Sequence, residues 1–390
     1  MRLPGTTVEV RGRQVAQFVA GIALAAALIG WMLPAFAQTS WGDIWAVLRE
    51  VPPHHALGLQ VLMVAGLYGY TFVLTGSLPG LTHGRALVLN LCGSSVSKLL
   101  PAGGALGLAA TYTICRSWGF TRRAVSTSAL VSGVWNVLTR ILLPVVAILV
   151  LLAGAEDLPR TLTDLATAGA ATGSALVAAF VGMMVSERVA QAIGRGLDRA
   201  LRPLLRRRPA TASMSLEELV RDLRARVVVV VRDAWWSMSL GMLVFFGLYY
   251  VLFVLVMEQT GVDLPLDELF AAYAIGRLLT AVGVTPGGIG VTETATVVAL
   301  VGWGADPAGA SAGVILFSLV TYLMEIPLGA VGWLLWSLST KTPPPEAGSD
   351  EVVVSRRAGG PDGRGPRRRA GRPGRPARTD APSPAPPPRR

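Results

Sequence analysis

The sequence predicts an all-α polytopic membrane protein: six spanning helices and two re-entrant helical hairpins, arranged as an inverted repeat. Three observations carry this expectation. Only 15% of the 390 residues are charged and 52% are hydrophobic, whereas soluble domains carry about 25% charged residues. Long apolar runs account for the difference and give a mean hydropathy of +0.52. Arginine also alternates from loop to loop, as cytoplasmic and external loops do.

Runs able to cross a hydrocarbon core of about 30 Å lie at roughly 15–36, 55–78, 124–153, 167–186, 234–258 and 310–338. Ala35-Phe36-Ala37 has the small-residue pattern of a signal-peptidase site. The apolar stretch before it exceeds the usual 7–15 residues, so it is kept as the first span.

Two further apolar segments, 84–116 and 268–304, are broken in the middle. The first holds Lys98-Leu-Leu-Pro101-Ala-Gly103-Gly104, then Gly107; the second holds Thr285-Pro286-Gly287-Gly288-Ile-Gly290. Proline removes a helical N–H and clashes with the preceding turn, and paired glycines loosen the backbone. Each half, about 15 residues, covers roughly 22 Å and cannot span alone.

Charge separates a hairpin from a kinked span. Arg2, Arg11 and Arg13, the loop with Arg116, Arg122 and Arg123, the segment 187–233 and the tail are Arg-rich. The loops near 37–54, 154–166, 259–267 and 303–309 hold only Arg49 and Arg160 among them. Every loop reaches its proper side only if both broken segments return to the side they left. The first hairpin then enters from the cytoplasm and the second from outside. The halves, about 15–153 and 167–338, read alike with opposite starting sides, which is the signature of an inverted repeat.

Flanking segments are polar. Residues 1–14 form a cytoplasmic N-terminus. In 187–233, Val189, Ile193, Leu197 and Leu201 share a helical face, with Arg188, Arg195, Arg199 and Arg202 on others. This fits a helix on the anionic leaflet or a solvated helix packed on its neighbours. Ser215-x-x-Glu218 resembles a capping box opening the helix into the 234–258 span. The region 339–390 is Pro/Gly/Arg-rich; from 341 on it holds twelve basic and five acidic residues. It buries too little apolar surface to offset ordering entropy and is expected to be disordered and cytoplasmic. Nucleic acid is not expected as a partner.

Only two lysines occur, Lys98 and Lys341; this arginine bias fits a GC-rich bacterial genome, hence a bacterial cytoplasmic membrane. Cys92 and Cys115 lie in apolar segments, and His54, His55 and His83 fall in loops without partner ligands nearby in sequence. No metal or cofactor is expected. P-loop, zincin, nucleophile-elbow and Rossmann motifs are missing, so no catalytic residue is assigned.

Intramembrane charge is costly and functional by default. Five such residues stand out: Lys98 before the first break, Arg277 and Glu293 around the second, and Arg140 and Glu325 at equivalent depths in the third and sixth spans. Three cations and two carboxylates leave a net positive site. Half-helices restarting near Gly104 and Gly290 add N-terminal dipoles that favour anions. Asn90, Ser94, Ser95, Ser97, Thr285 and Thr292 are available as neutral hydrogen-bonding groups. The alternative is structural: Arg277 with Glu293, or Arg140 with Glu325, as ion pairs, and Glu293 as a complement to a helix N-terminus.

These residues resemble a known family. Thr285-Pro286-Gly287-Gly288-Ile289-Gly290-Val291-Thr292-Glu293 is similar to the Pro-Gly-Gly-x-Gly-x-x-Glu signature of the transmembrane region of lysylphosphatidylglycerol synthases. The segment Lys98 to Gly104 resembles that family's earlier Pro-x-x-x-Gly break, and Arg140 lies where its next span usually has an arginine. The resemblance covers about 15–338. Two departures stand: Ser318, with Glu325 further on, replaces an arginine frequent early in the last span, and the tail stands where full synthases carry an aminoacyl-transferase domain. The resemblance implies a lipid translocase without lipid aminoacylation. Its substrate-binding residues would be Lys98, Arg140, Arg277, Glu293, Glu325 and Ser97. The expected partner is a membrane lipid with an anionic or glycan-bearing headgroup. A scaffold docking a cytosolic lipid-modifying enzyme and an intramembrane lipid-group transferase are the alternatives.

Overall fold

The computed structural model describes residues 40–342 apart from 51, 100–102, 155–159, 190, 193–194, 196–215 and 281–289. The described residues are helical, with no strand beyond one isolated bridge between Trp118 and Thr342. In chain order the helices are α1 (Trp41–Glu50), α2 (Pro53–Ser77), α3 (His83–Leu99), α4 (Gly103–Ser117), α5 (Arg122–Gly154) and α6 (Arg160–Val185). They continue as α7 (Leu216–Gln259), α8 (Leu266–Leu279), α9 (Val291–Gly302), α10 (Pro307–Ser318), a π-turn (Leu319–Leu323) and α11 (Glu325–Leu338).

Among the described residues four stretches are long and apolar enough to span: His55–Ser77, Arg122–Ala153, Val230–Gln259 and Pro307–Leu338. The shortest, 23 residues, covers about 35 Å at 1.5 Å per residue. Their outer faces carry bare leucines, Leu243 at 70% and Leu334 at 59% exposure, as a lipid-facing surface does. The segment 167–186 coincides with α6 up to Val185, and the apolar core of that helix, Ala170–Met183, is shorter than the other four. The first span, the Ser215 cap, the tail from 343 and the segment 196–215 lie outside the described residues.

Three histidines expected in loops are helical instead. His54 and His55 sit in the first turn of α2, after Pro52 and Pro53, where proline fits because its missing N–H has no intrahelical partner. His83 opens α3, its Nδ1 2.8 Å from Thr71 Oγ1 and its ring 4.5 Å from that of Phe72. The sequence reading also lacked α1, which Ser40 and Asp43 cap reciprocally and whose Ile44 is fully buried.

The central pair is α2 with α7. A Cβ on Gly66 would lie 2.7 Å from the Tyr249 ring, one on Gly69 2.6 Å from Val244, and one on Gly76 2.9 Å from Met238. Numbers rise on one helix as they fall on the other, so the pair is antiparallel. Lipid is as apolar as leucine, so helices associate through close packing, which small residues permit.

Each broken segment folds back on itself. A Cβ on Gly103 or Gly107 would collide with Ser97, and one on Gly93 would touch Thr111 Oγ1 at 3.3 Å. On the second segment, a Cβ on Gly276 would lie 2.7 Å from Thr296 Oγ1. A straight path would put 276 and 296 more than about 12 Å apart from the helical residues alone. The first arm of each segment packs on a span from the other half of the chain. A Cβ on Gly329 of α11 would collide with Ser95 of α3, and Ala271 and Ala274 of α8 cluster with Ala147 of α5.

Loops assigned to one side by charge gather at one end. The Thr342 N–H donates to the Ser117 carbonyl at 2.9 Å, Trp118 Nε1 to Ser339 Oγ at 3.0 Å, and Trp336 Nε1 to Ser117 Oγ at 3.0 Å. Lys341 lies over the Trp336 ring, and desolvation there, with Arg85 nearby, lowers its pKa. At the other end, the Thr260 carbonyl comes within 2.5 Å of a Cβ built on Gly309, and α1 packs on α10.

Two outcomes follow. Gly69→Ile overpacks the α2–α7 contact and costs about 1–3 kcal/mol, read as a lower melting temperature in detergent. Gly247→Ala, on the same pair but facing open space, leaves melting nearly unchanged. Single cysteines at Thr82 and Lys341 react with an impermeant maleimide from one compartment, and those at Ser40 and Asp263 from the other.

Candidate functional site

The tips of α3 and α8 meet the middle of α5 and the α10–α11 junction, and a cavity of about 790 Å³ lies between them. Lys98, Arg140, Arg277, Glu293 and Glu325, spread over more than two hundred residues of sequence, all line it, and Ser97 does too.

Lys98 Nζ lies 2.8 Å from Glu325 Oε2, with both side chains largely buried. It also donates to the Thr321 carbonyl at 3.3 Å and sits over the Tyr322 ring at 4.4 Å. The π-turn Leu319–Leu323 widens the helix here, a feature that recurs at functional sites. Buried Tyr249 lies beside Glu325, its hydroxyl without a closed hydrogen bond.

Arg140 is held by backbone and neutral groups. Its Nε donates to Asn136 Oδ1 at 2.6 Å, and Nη1 donates to the Arg277 carbonyl at 3.2 Å and to Thr280 Oγ1. Arg277 lies over the Tyr273 and Phe317 rings at 5.3 and 5.0 Å. Its Nε is buried with no hydrogen-bond partner, and among the described residues no carboxylate lies within ion-pair distance of it. The two arginines therefore form a cationic wall with no ion-paired carboxylate among the described residues.

Glu293 has another part. Its Oε2 accepts from the Gly290 N–H at 2.6 Å and Thr292 Oγ1 at 2.8 Å, and its Oε1 accepts from Ser318 Oγ at 2.7 Å. It caps α9, whose N-cap Gly290 has φ +87°, a left-handed backbone that glycine adopts readily. The α9 N-terminus thus holds a carboxylate of this chain rather than standing open to an anion. Ser318 occupies the position where the family resemblance places arginine, so a hydroxyl meets Glu293 there.

The ion pair formed is neither of the two weighed from sequence. Arg277 does not pair with Glu293, nor Arg140 with Glu325; Lys98 takes Glu325 because α3 packs on α11. Asn90, Ser94, Ser97 and Thr292 line the cavity, as do Gly104 and Gly107. Ser95 does not: it turns to α11 and donates to the Cys92 carbonyl. Pro101, Thr285, Pro286, Gly287 and Gly288 lie outside the described residues, and Gly103 packs on Ser97. Cys92 and Cys115 are buried and free. No His/Cys/Asp/Glu group suited to a metal occurs among the described residues.

Sequence reading missed a polar stripe. Ser128, Ser132, Asn136 and Arg140 repeat every fourth residue along α5 and all line the cavity. That spacing marks one helix face and was visible inside an otherwise apolar span.

Removing one member of the Lys98–Glu325 pair strands the other charge. Lys98→Met or Glu325→Gln alone costs about 3–5 kcal/mol, and the double variant less than either. A double-mutant cycle on thermal unfolding in detergent reads the coupling.

No curated protein matches the chain. A family model described as the lysylphosphatidylglycerol synthase TM region matches residues 18–329, which takes in every residue that lines the cavity. The chain is a multi-pass membrane protein and belongs to the lysylphosphatidylglycerol synthase transmembrane-region family.

Proposed function

We propose that the protein is a lipid translocase that takes an anionic headgroup into the cavity and moves the lipid between leaflets. The observation that carries this reading is the Arg140–Arg277 wall, without an ion-paired carboxylate among the described residues, inside a cavity of mixed polar and apolar lining between apolar spans. A desolvated guanidinium binds a phosphate through charge-assisted, often paired hydrogen bonds. A volume of about 790 Å³ lies within the range of small-molecule sites, about 300–1,000 Å³.

In this reading the two folded-back segments are re-entrant hairpins and the chain is an inverted repeat of 15–153 and 167–338. The antiparallel α2–α7 pair relates the second spans of the halves. Lys98 reaching Glu325 and α8 reaching Arg140 are then equivalent contacts. Both hairpin tips meet at the site, as in transporters whose binding groups lie near the midplane. The membrane is the bacterial cytoplasmic membrane, with both termini inside. Ser97, Asn90 and Asn136 supply neutral hydrogen bonds, Glu293 fixes the α9 tip, and no side chain is assigned to covalent chemistry. A cytosolic lipid-modifying enzyme is the proposed supplier of the transported lipid.

Proteoliposomes with tail-labelled fluorescent lipids of several headgroups test it through dithionite quenching. Wild-type protein moves an anionic lipid faster than phosphatidylcholine. Arg277→Ala and Arg140→Ala each lose about 1.5–3 kcal/mol of headgroup interaction, a roughly ten- to hundredfold weaker apparent affinity. No movement of any lipid, or arginine variants equal to wild type, overturns the proposal.

A further inference from the structure

A headgroup cavity inside a membrane needs an opening for the acyl chains, and the exposure of its walls locates one. Among the described lining residues four are exposed: Gly104 and Leu108 on α4, and Gly133 and Val137 on α5. The other lining residues, on α2, α3, α7, α8, α9, α10 and α11 as well as the rest of α4 and α5, are buried or half-buried. Leu108 is 45% and Val137 49% exposed, although both also face the cavity. A Cβ built on Gly104 or Gly133 meets nothing within 4 Å, so the edges of the gap are open space.

Among the described residues the two helices are tied by side chains near one end. Tyr112 OH and Ser126 Oγ are hydrogen-bonded, and the short turn from Trp118 to Thr121 joins the helices just beyond. From that tie the helices run toward Gly104 and Val137, and the gap lies on the far side. Its rim is two glycines, a leucine and a valine, with no charge. Behind it, on the same two helices, lie Thr111, Asn136 and Arg140.

We infer that the slit between α4 and α5 is the lateral portal of the cavity, occupied by the acyl chains of a phospholipid whose headgroup lies inside. This rests on the translocase reading. The chemistry changes from apolar rim to cationic interior in the order a phospholipid presents its parts. The tails stay in hydrocarbon while the phosphate reaches Arg140 and Arg277. Two open glycines leave width for chains that a larger side chain would obstruct.

The experiment uses full-length protein in phosphatidylcholine vesicles containing tail-labelled fluorescent phosphatidylglycerol, with binding of soluble glycerol phosphate measured alongside by calorimetry. Gly133→Trp fills the slit from open space and slows lipid movement about tenfold or more, as obstructing a gating step does. Glycerol phosphate, which has no tails, binds this variant as it binds wild type. Leu243→Trp, equally lipid-facing but away from the cavity, moves lipid at the wild-type rate. As a second variant, Leu108→Cys/Val137→Cys with Cys92→Ala and Cys115→Ala is bridged by a graded set of bis-methanethiosulfonate spacers. Short bridges stop movement, and reduction restores it. Lipid movement at wild-type rate in both the filled and bridged proteins overturns the portal and leaves the translocase standing. Wild-type protein that moves no lipid overturns the translocase, and the portal falls with it.

Discussion

Hydrocarbon does not solvate charge, and that constraint organises this molecule. Each ionised side chain placed singly in the membrane centre costs about 2.5–3.5 kcal/mol, so five cost roughly 12–18 kcal/mol, as much as the whole stability of a typical domain. The fold avoids that cost by gathering all five around one cavity, where four find hydrogen-bonding or ionic partners and Arg277 stacks on aromatic rings. Lys98 and Glu325 neutralise one another, and Glu293 is held by three hydrogen-bond donors. Arg140 and Arg277 remain, as a charge with no answering carboxylate among the described residues. An unmatched buried cation that contributed nothing would be an expense the fold had no reason to keep.

The backbone poses the same problem in another form. A helix interrupted at membrane depth leaves carbonyls and N–H groups that lipid cannot satisfy. Two of the cations serve these groups directly. Lys98 donates to the Thr321 carbonyl in the π-turn, and Arg140 donates to the Arg277 carbonyl at the end of α8. Glu293 does the same for the Gly290 N–H at the start of α9. The breaks and the charges are therefore one arrangement, in which irregular backbone lines the cavity and ionised side chains complete its hydrogen bonds. Arg277 differs from the rest: its guanidinium stacks on two aromatic rings and its Nε has no partner.

Much of this was legible in the sequence because membrane solvent makes strong patterns. Four of the six expected spans read directly from apolar length, and helices end before and restart after the segments holding Pro101 and Pro286, which themselves lie outside the described residues. The membership of the cavity followed from the rarity of charge inside apolar runs. Pairing was not legible, because which carboxylate Lys98 meets depends on α3 packing against α11, a contact set by Gly329 and Gly332 two hundred residues away. Ser95 was misassigned for the same reason: it differs from Ser94 only in the helix face that packing selects. The α1 helix was hidden by its brevity, and the histidines were read as loop residues because Pro52-Pro53 marks a helix start as readily as a turn. The stripe from Ser128 to Arg140 was present in the sequence at helical spacing, but its hydroxyls are too mildly polar to stand out beside ionised groups.

Cryo-electron microscopy of the protein in nanodiscs of phosphatidylglycerol tests the central claim most directly. The predicted map has headgroup density between the α3 and α8 tips, with a phosphate within hydrogen-bond reach of Arg277 Nε and the Arg140 guanidinium. A map with that cavity holding only water, and with Arg277 turned onto a carboxylate of its own chain, would contradict it.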